Sequence, residues 1–182
     1  MRAYLKHLIA IHLGINMRFN EVKVVLIFSI FLLMLNHFAY AESIQAPDFE
    51  LPGKQTPVRL SDSKGKVIYL DFWASWCGPC KQSFPWMNAI QEKYKSKGLE
   101  VIAVNLDVNN EDALRFLVTT SAKFTVAFDS KGRTPLLYGV KGMPTSYLIS
   151  PDGKIIMQHM GFNAADRDML EQKIESLLEG KK

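Results

Sequence analysis

The sequence predicts an α/β domain in which a mixed central sheet is flanked by helices. Three features carry that prediction. Apolar, β-branched runs alternate with segments of helical periodicity through the middle of the chain. A turn signal, Ser150-Pro151-Asp152-Gly153, then joins two strand-like runs with no helix between them, and an amphipathic stretch closes the chain. Strand–helix alternation gives parallel strands, the hairpin adds an antiparallel pair, and helices cover what the sheet leaves open.

Taken in order, Ser43 to Pro57 holds Pro47, Pro52, Gly53 and Pro57 and is expected to be extended and irregular. Val58 and Leu60 are expected in a short strand, followed by a turn over 61–66. Val67-Ile68-Tyr69-Leu70-Asp71-Phe72-Trp73 is apolar, β-branched or aromatic except at Asp71, the pattern of a strand buried on both faces. Lys81 to Lys97 reads as a helix, and Gly98 ends it as a glycine C-cap. Leu99 to Leu106 is a second buried strand. Between Glu111 and Thr120, Ala113, Leu114, Leu117 and Val118 recur at helical spacing. Phe124 to Phe128 is a third strand, 129–132 a turn, and Pro135 to Gly139 a short helix carrying Tyr138. Ser146 to Ile149 and Lys154 to Met160 flank the hairpin signal. Met169, Leu170, Ile174, Leu177 and Leu178 line one face of the closing helix.

The first 41 residues have a different character. Val24 to Leu35 is an apolar run of 12 residues, preceded by Arg18 and Lys23 and followed by Ala39-Tyr40-Ala41. A helix of that length spans about 18 Å, short of a bilayer core of about 30 Å. A positive start, a short apolar centre and a small-x-small end describe a secretory signal peptide, with cleavage expected after Ala41 and a mature domain over 42–182. An uncleaved anchor running on through His37 to Tyr40 is the alternative. Met17-Arg18 would open a charged region of ordinary length, so Met17 is the expected initiator. Arg2, Lys6, Arg18 and Lys23 against Glu21 account for +3 of the chain's net +4, which leaves the domain close to neutral and without a basic patch for nucleic acid. His7, His12 and His37 also fall in the leader, so only His159 remains in the domain, expected to face solvent or bond the backbone.

Cys77 and Cys80 are the only cysteines, spaced as Cys77-Gly78-Pro79-Cys80 between a buried strand and a helix. At a strand-to-helix turn, free backbone N–H groups and the positive end of the macrodipole favour a thiolate on Cys77. Cys80, one turn in, is expected to be more buried and to act as the resolving thiol. A structural zinc site needs four ligands and no second pair exists, so no metal is expected. A structural disulfide across two residues restrains very little unfolded chain.

The segment Asp71-Phe72-Trp73-Ala74-Ser75-Trp76-Cys77-Gly78-Pro79-Cys80-Lys81 resembles the active-site segment of thioredoxins. Pro85 matches the proline inside that family's active-site helix, and Gly142-Met143-Pro144-Thr145 resembles its cis-proline loop. Ala46-Pro47-Asp48-Phe49-Glu50-Leu51 resembles the opening of the TlpA/ResA-like branch. Asp107 and Pro144 lie 37 residues apart, more than a minimal thioredoxin needs. The surplus, helix 111–120 and strand 124–128, resembles the central insertion of that branch. The resemblance therefore implies a thioredoxin fold with an N-terminal extension and a central β/α insertion.

It also implies a protein thiol–disulfide oxidoreductase without cofactor: a monomer, periplasmic if the leader is cleaved and held at the inner membrane if it is not. The expected direction is reductive, acting on disulfide-containing client proteins, with a membrane electron donor to recharge it and cytochrome c maturation as one setting. A general disulfide oxidase and a non-catalytic binding module are the alternatives. Cys77 would attack and Cys80 resolve. Asp71 would take the Cys80 proton, or else would bond a backbone N–H and serve structure alone. The lysine that accompanies this aspartate in cytosolic thioredoxins aligns with Ala103 here. Pro144 is the expected cis-proline, with the Met143 backbone facing the cysteines and pairing with an extended substrate. Trp76 would present an aromatic surface to the partner, Gly78 and Pro79 would shape the loop, and Trp73 is expected in the core.

Overall fold

The computed structural model describes residues 44–180. The expected signal peptide, its cleavage point and the start at Met17 lie outside those residues. Eleven helices and strands follow in the described chain, beginning with a two-residue hairpin of β1 (Glu50–Leu51) and β2 (Val58–Arg59). Then come β3 (Val67–Trp73), α1 (Gly78–Tyr94), β4 (Leu99–Asn105), α2 (Asn110–Thr119), β5 (Thr125–Phe128), α3 (Arg133–Tyr138), β6 (Thr145–Ile149), β7 (Ile155–Met160) and α4 (Asp166–Glu179).

The main sheet has the order β5-β4-β3-β6-β7. β3 runs parallel to β4, and β4 to β5, whereas β6 is antiparallel to β3 and β7 to β6. The expected mixed sheet is therefore present, with β3 at its centre and all seven of its residues buried. Because side chains alternate across a strand, β3 feeds two cores. Val67, Tyr69 and Trp73 face Phe84, Met87 and Ile90 of α1 and Leu170 and Ile174 of α4. Ile68, Leu70 and Phe72 face Phe49, Leu51, Leu60 and Tyr138 on the other side. Each fully buried aliphatic or aromatic side chain of this size contributes about 1.5–3 kcal/mol.

Most boundaries shift by a residue or two from the sequence expectation, and three of the differences have a visible cause. Leu60 does not continue the β2 strand but opens a 3-10 turn over 60–63. Its N–H bonds the Phe49 carbonyl at 3.2 Å and the Ser61 N–H bonds Asp48 Oδ1 at 3.0 Å, which pulls the chain out of the strand. The active-site helix begins at Gly78 rather than Lys81, because Cys77 caps it. It ends at Tyr94, and a 3-10 turn over Lys95–Lys97 carries the chain to Gly98, whose φ of 96° is the left-handed conformation that glycine adopts freely. Among the described residues no helix is long and apolar enough to cross a membrane.

Candidate active site

β3 ends at Trp73, and four residues later Cys77 begins α1 as its N-cap. Cys77 and Cys80 are joined as a disulfide, with S–S 2.01 Å and Cα atoms 5.3 Å apart. The Cys80 N–H points at Cys77 Sγ, 3.3 Å away. In the reduced protein the same donor and the helix N-terminus would stabilise a thiolate on Cys77. Cys77 is 6% exposed and Cys80 fully buried, so only the first sulfur has a path to a partner. Gly78 and Pro79 are exposed beside it, and Trp76 projects outward at 73% exposure. Trp73 is buried, with its ring 4.8 Å from that of Phe84 and 5.0 Å from that of Phe116.

The second wall comes from β6. The Met143–Pro144 peptide bond is cis. Thr145 pairs with Phe72, so the bond sits at the end of the sheet where β3 gives way to the cysteine loop. Met143 packs against the cluster that holds Cys77 and Cys80. Thr145 Oγ1 donates to the Gly142 carbonyl at 2.7 Å and the Gly161 N–H donates to the Pro144 carbonyl at 2.8 Å, which fixes the loop from both sides. The Met143 backbone makes no such bond with the described residues and is free to pair with an extended chain.

Asp71 is 1% exposed in the middle of β3, and its Oδ2 has no hydrogen-bond partner among the described residues. Burial alone drives its carboxyl well above the usual range. Ala103 stands directly beside it on β4 and supplies no cation. A carboxyl at this depth holds a proton more tightly than an exposed one, which suits it to take a proton from a thiol rather than to pair with a cation.

A clamp that the sequence does not announce holds the cysteine loop. Asp107, just past β4, accepts the Ser75 N–H at 2.9 Å and the Ser75 hydroxyl at 3.0 Å. Asn105 in turn donates to Asp107 Oδ2 at 2.7 Å and accepts the Asp107 N–H at 3.0 Å. All four bonds are local to the carboxyl end of the parallel strands, where α/β proteins gather functional groups. The visible signal was Asn105-Leu106-Asp107, two polar residues closing an apolar strand. His159 also departs from expectation. It is only partly exposed, and its side chain bonds no backbone group among the described residues: its Nε2 lies 3.2 Å from Asp166 Oδ2, close enough for an ion pair but not aligned as a hydrogen bond.

The buried acid predicts a pH-dependent stability. An unfolded aspartate ionises near pH 3.9. The folded protein holds its Asp71 proton to higher pH, so it binds more protons than the unfolded chain above that point. The wild type therefore loses stability as pH rises from about 4 toward the raised folded value. Asp71→Asn carries no such penalty. Its stability relative to wild type is therefore expected to be higher at pH 8 than at pH 3.5, where the ionisation penalty on the wild type has all but vanished. Urea unfolding of the oxidised proteins at both pH values measures this, and a difference that does not change with pH would mean that Asp71 titrates normally.

A model of the Redoxin family matches residues 41–174. Among curated proteins, the thiol-disulfide oxidoreductase ResA of Bacillus thuringiensis subsp. konkukian (strain 97-27) is 38% identical over 136 residues, covering 73% of this chain and 76% of that one. The ResA of Bacillus anthracis is 40% identical over 138 residues, covering 72% and 79%. Among solved structures, a putative thiol:disulfide interchange protein DsbE from Chlorobium tepidum is 61% identical with a TM-score of 0.75, and the match covers 77% of this chain and 99% of that one. The exposed lipoprotein thioredoxin of Streptococcus pneumoniae strain TIGR4 is 33% identical with a TM-score of 0.65, covering 72% and 100%. The architecture described above is the thioredoxin fold.

Proposed function

This chain belongs to the Redoxin family and is a thiol–disulfide oxidoreductase, and from that premise we propose that it works outside the cytoplasm as a monomeric reductant of protein disulfides. The observation that carries the reading is the asymmetry of the pair: Cys77 at the helix N-terminus beside an exposed Trp76, and Cys80 fully buried behind it. The Cys77 thiolate attacks one sulfur of a client disulfide, forming a mixed disulfide and expelling the first client thiolate. Cys80 loses its proton to the Asp71 carboxylate and attacks Cys77 Sγ. The Cys77–Cys80 bond forms, the second client thiolate leaves, and the client has gained the two electrons the protein has lost. Trp76, Gly78 and Pro79 offer the client a surface, and the Met143 backbone beside Pro144 pairs with its extended segment. A membrane electron donor restores the dithiol.

The client class that fits this reading is proteins with oxidised haem-attachment cysteine pairs, which places the protein in cytochrome c maturation. The leader over 1–41 supports a periplasmic site of action, reached by cleavage or by anchoring at the inner membrane. Cys80→Ser tests the client class. It removes the resolving thiol and leaves attack intact, so in the native compartment it should accumulate partners that are released by reduction and absent from Cys77→Ser. Haem-attachment proteins or their carriers should dominate that set. A broad set would make the protein a general reductant, and an empty set would return it to a binding role. Equilibration with glutathione fixes the direction: a potential near about −270 mV supports the reductant, and one near about −120 mV would make it an oxidant.

A further inference from the structure

Asp71 must release each proton it receives, and it is sealed inside the domain. A row of polar side chains leads away from it across the sheet. Asp71 on β3 is paired with Ser146 on β6, and Ser146 with His159 on β7. These three therefore stand in one row across the sheet, with side chains on the face covered by α1 and α4. Tyr69 stands two residues before Asp71 on the same face of β3, and its hydroxyl, pushed up chiefly by burial, lies in the electrostatic reach of Asp71, Ser146 and Asp166. Trp86 of α1 stands edge-on to Tyr69 at 5.3 Å and Phe162 packs on Trp86 at 5.5 Å, which roofs the row with aromatic rings. The row ends at His159, whose Nε2 faces Asp166 Oδ2 at 3.2 Å. Those two side chains are 18% and 19% exposed, so the row reaches solvent there.

We propose that Tyr69, Ser146, His159 and Asp166 form a proton-exchange route that connects Asp71 to solvent at the β7–α4 edge and serves the step in which Cys80 is deprotonated. When Cys80 gives its proton to Asp71 and closes the Cys77–Cys80 bond, Asp71 is left protonated. The hydroxyls of Tyr69 and Ser146 each donate one proton and accept another. They pass the charge to the His159 imidazole, which can accept a proton at one nitrogen and lose one at the other. Asp166 Oδ2, 3.2 Å from Nε2, holds the imidazole in place. Asp71 returns to carboxylate, one proton reaches solvent per disulfide formed, and the same route runs inward when the protein is recharged. Among the described residues, the titratable or charged groups tied to the row are Cys80 of α1, in the same core cluster as Tyr69, Asp166 on α4, and Arg167, whose guanidinium lies 5.7 Å from the Phe162 ring. β4 contributes only Ala103 beside Asp71.

The inference rests on the proposed roles of Cys77, Cys80 and Asp71, and single-turnover kinetics separate it from them. Reduced protein is mixed with oxidised insulin, and attack by Cys77 and resolution by Cys80 are read as successive phases between pH 6 and 8. In His159→Ala and in Asp166→Asn the attack phase should match wild type. The resolution phase in His159→Ala should slow about tenfold or more, with its pH profile displaced, and free imidazole should restore it in part. Asp166→Asn should slow the same phase less. Resolution at the wild-type rate in both variants would overturn the route. So would a loss that imidazole does not relieve and that follows lowered thermal stability. A wild-type protein with no attack phase would refute the dithiol reading itself.

Discussion

Cys77→Ser is expected to lower insulin reduction by at least about 10⁴-fold, while Cys80→Ser leaves the attack step largely intact but stops turnover. A serine hydroxyl ionises far above neutral pH, so neither the Cys80 N–H nor the helix N-terminus yields a usable nucleophile from it. Cys80 cannot take over, since it is fully buried behind the first turn of α1. The same asymmetry governs alkylation: in reduced protein, iodoacetamide should modify Cys77 and spare Cys80. The two substitutions thus separate the roles, one blocking the mixed disulfide and the other freezing it. Turnover by Cys77→Ser above about one per cent of wild type, or equal labelling of both thiols, would show that the roles are reversed or shared.

Phe84→Ala is expected to destabilise the oxidised protein by about 3–5 kcal/mol. Phe84 is fully buried in α1, with its ring 4.8 Å from Trp73, 5.1 Å from Phe116 and 5.3 Å from Phe124. It joins the central strand, the active-site helix, α2 and the approach to β5. Removing it leaves a void among three rings that belong to different elements and cannot close together. Total stabilities of about 5–15 kcal/mol make this a large fraction, and Tm should fall by roughly 6–20 °C. Calorimetry and urea unfolding measure it. A loss under about 1 kcal/mol would mean that the aromatic cluster repacks without strain.

Much of the chemistry was legible locally. Val67 to Trp73 announced a buried strand by composition, Gly98 stopped a helix, and the cysteine pair between them announced a helix N-cap. The thioredoxin-like segment 71–81 and the loop 142–145 added the expectation of a cis bond at Pro144, and the structure has it. Helix 111–120 and strand 124–128 were found within one residue because their periodicity is strong. Boundaries set by long-range bonds were not found: Leu60 left its strand because Phe49 and Asp48, over ten positions earlier, took the nearby N–H groups.

By itself, then, the sequence determined the strand–helix order, the dithiol and its asymmetry, and the presence of one carboxylate in an apolar strand. Local patterning suffices for these, because hydrophobic periodicity and capping act over a few residues. Only the tertiary structure decided what surrounds them. It set Asp107 as the clamp on Ser75, 32 residues away. It left Asp71 beside Ala103, its Oδ2 without a hydrogen-bond partner among the described residues, and it aligned Ser146 and His159 with that acid in a single row. Those relations depend on strand register, and register is fixed by how all the apolar faces of the sheet are buried together, a property no single segment carries.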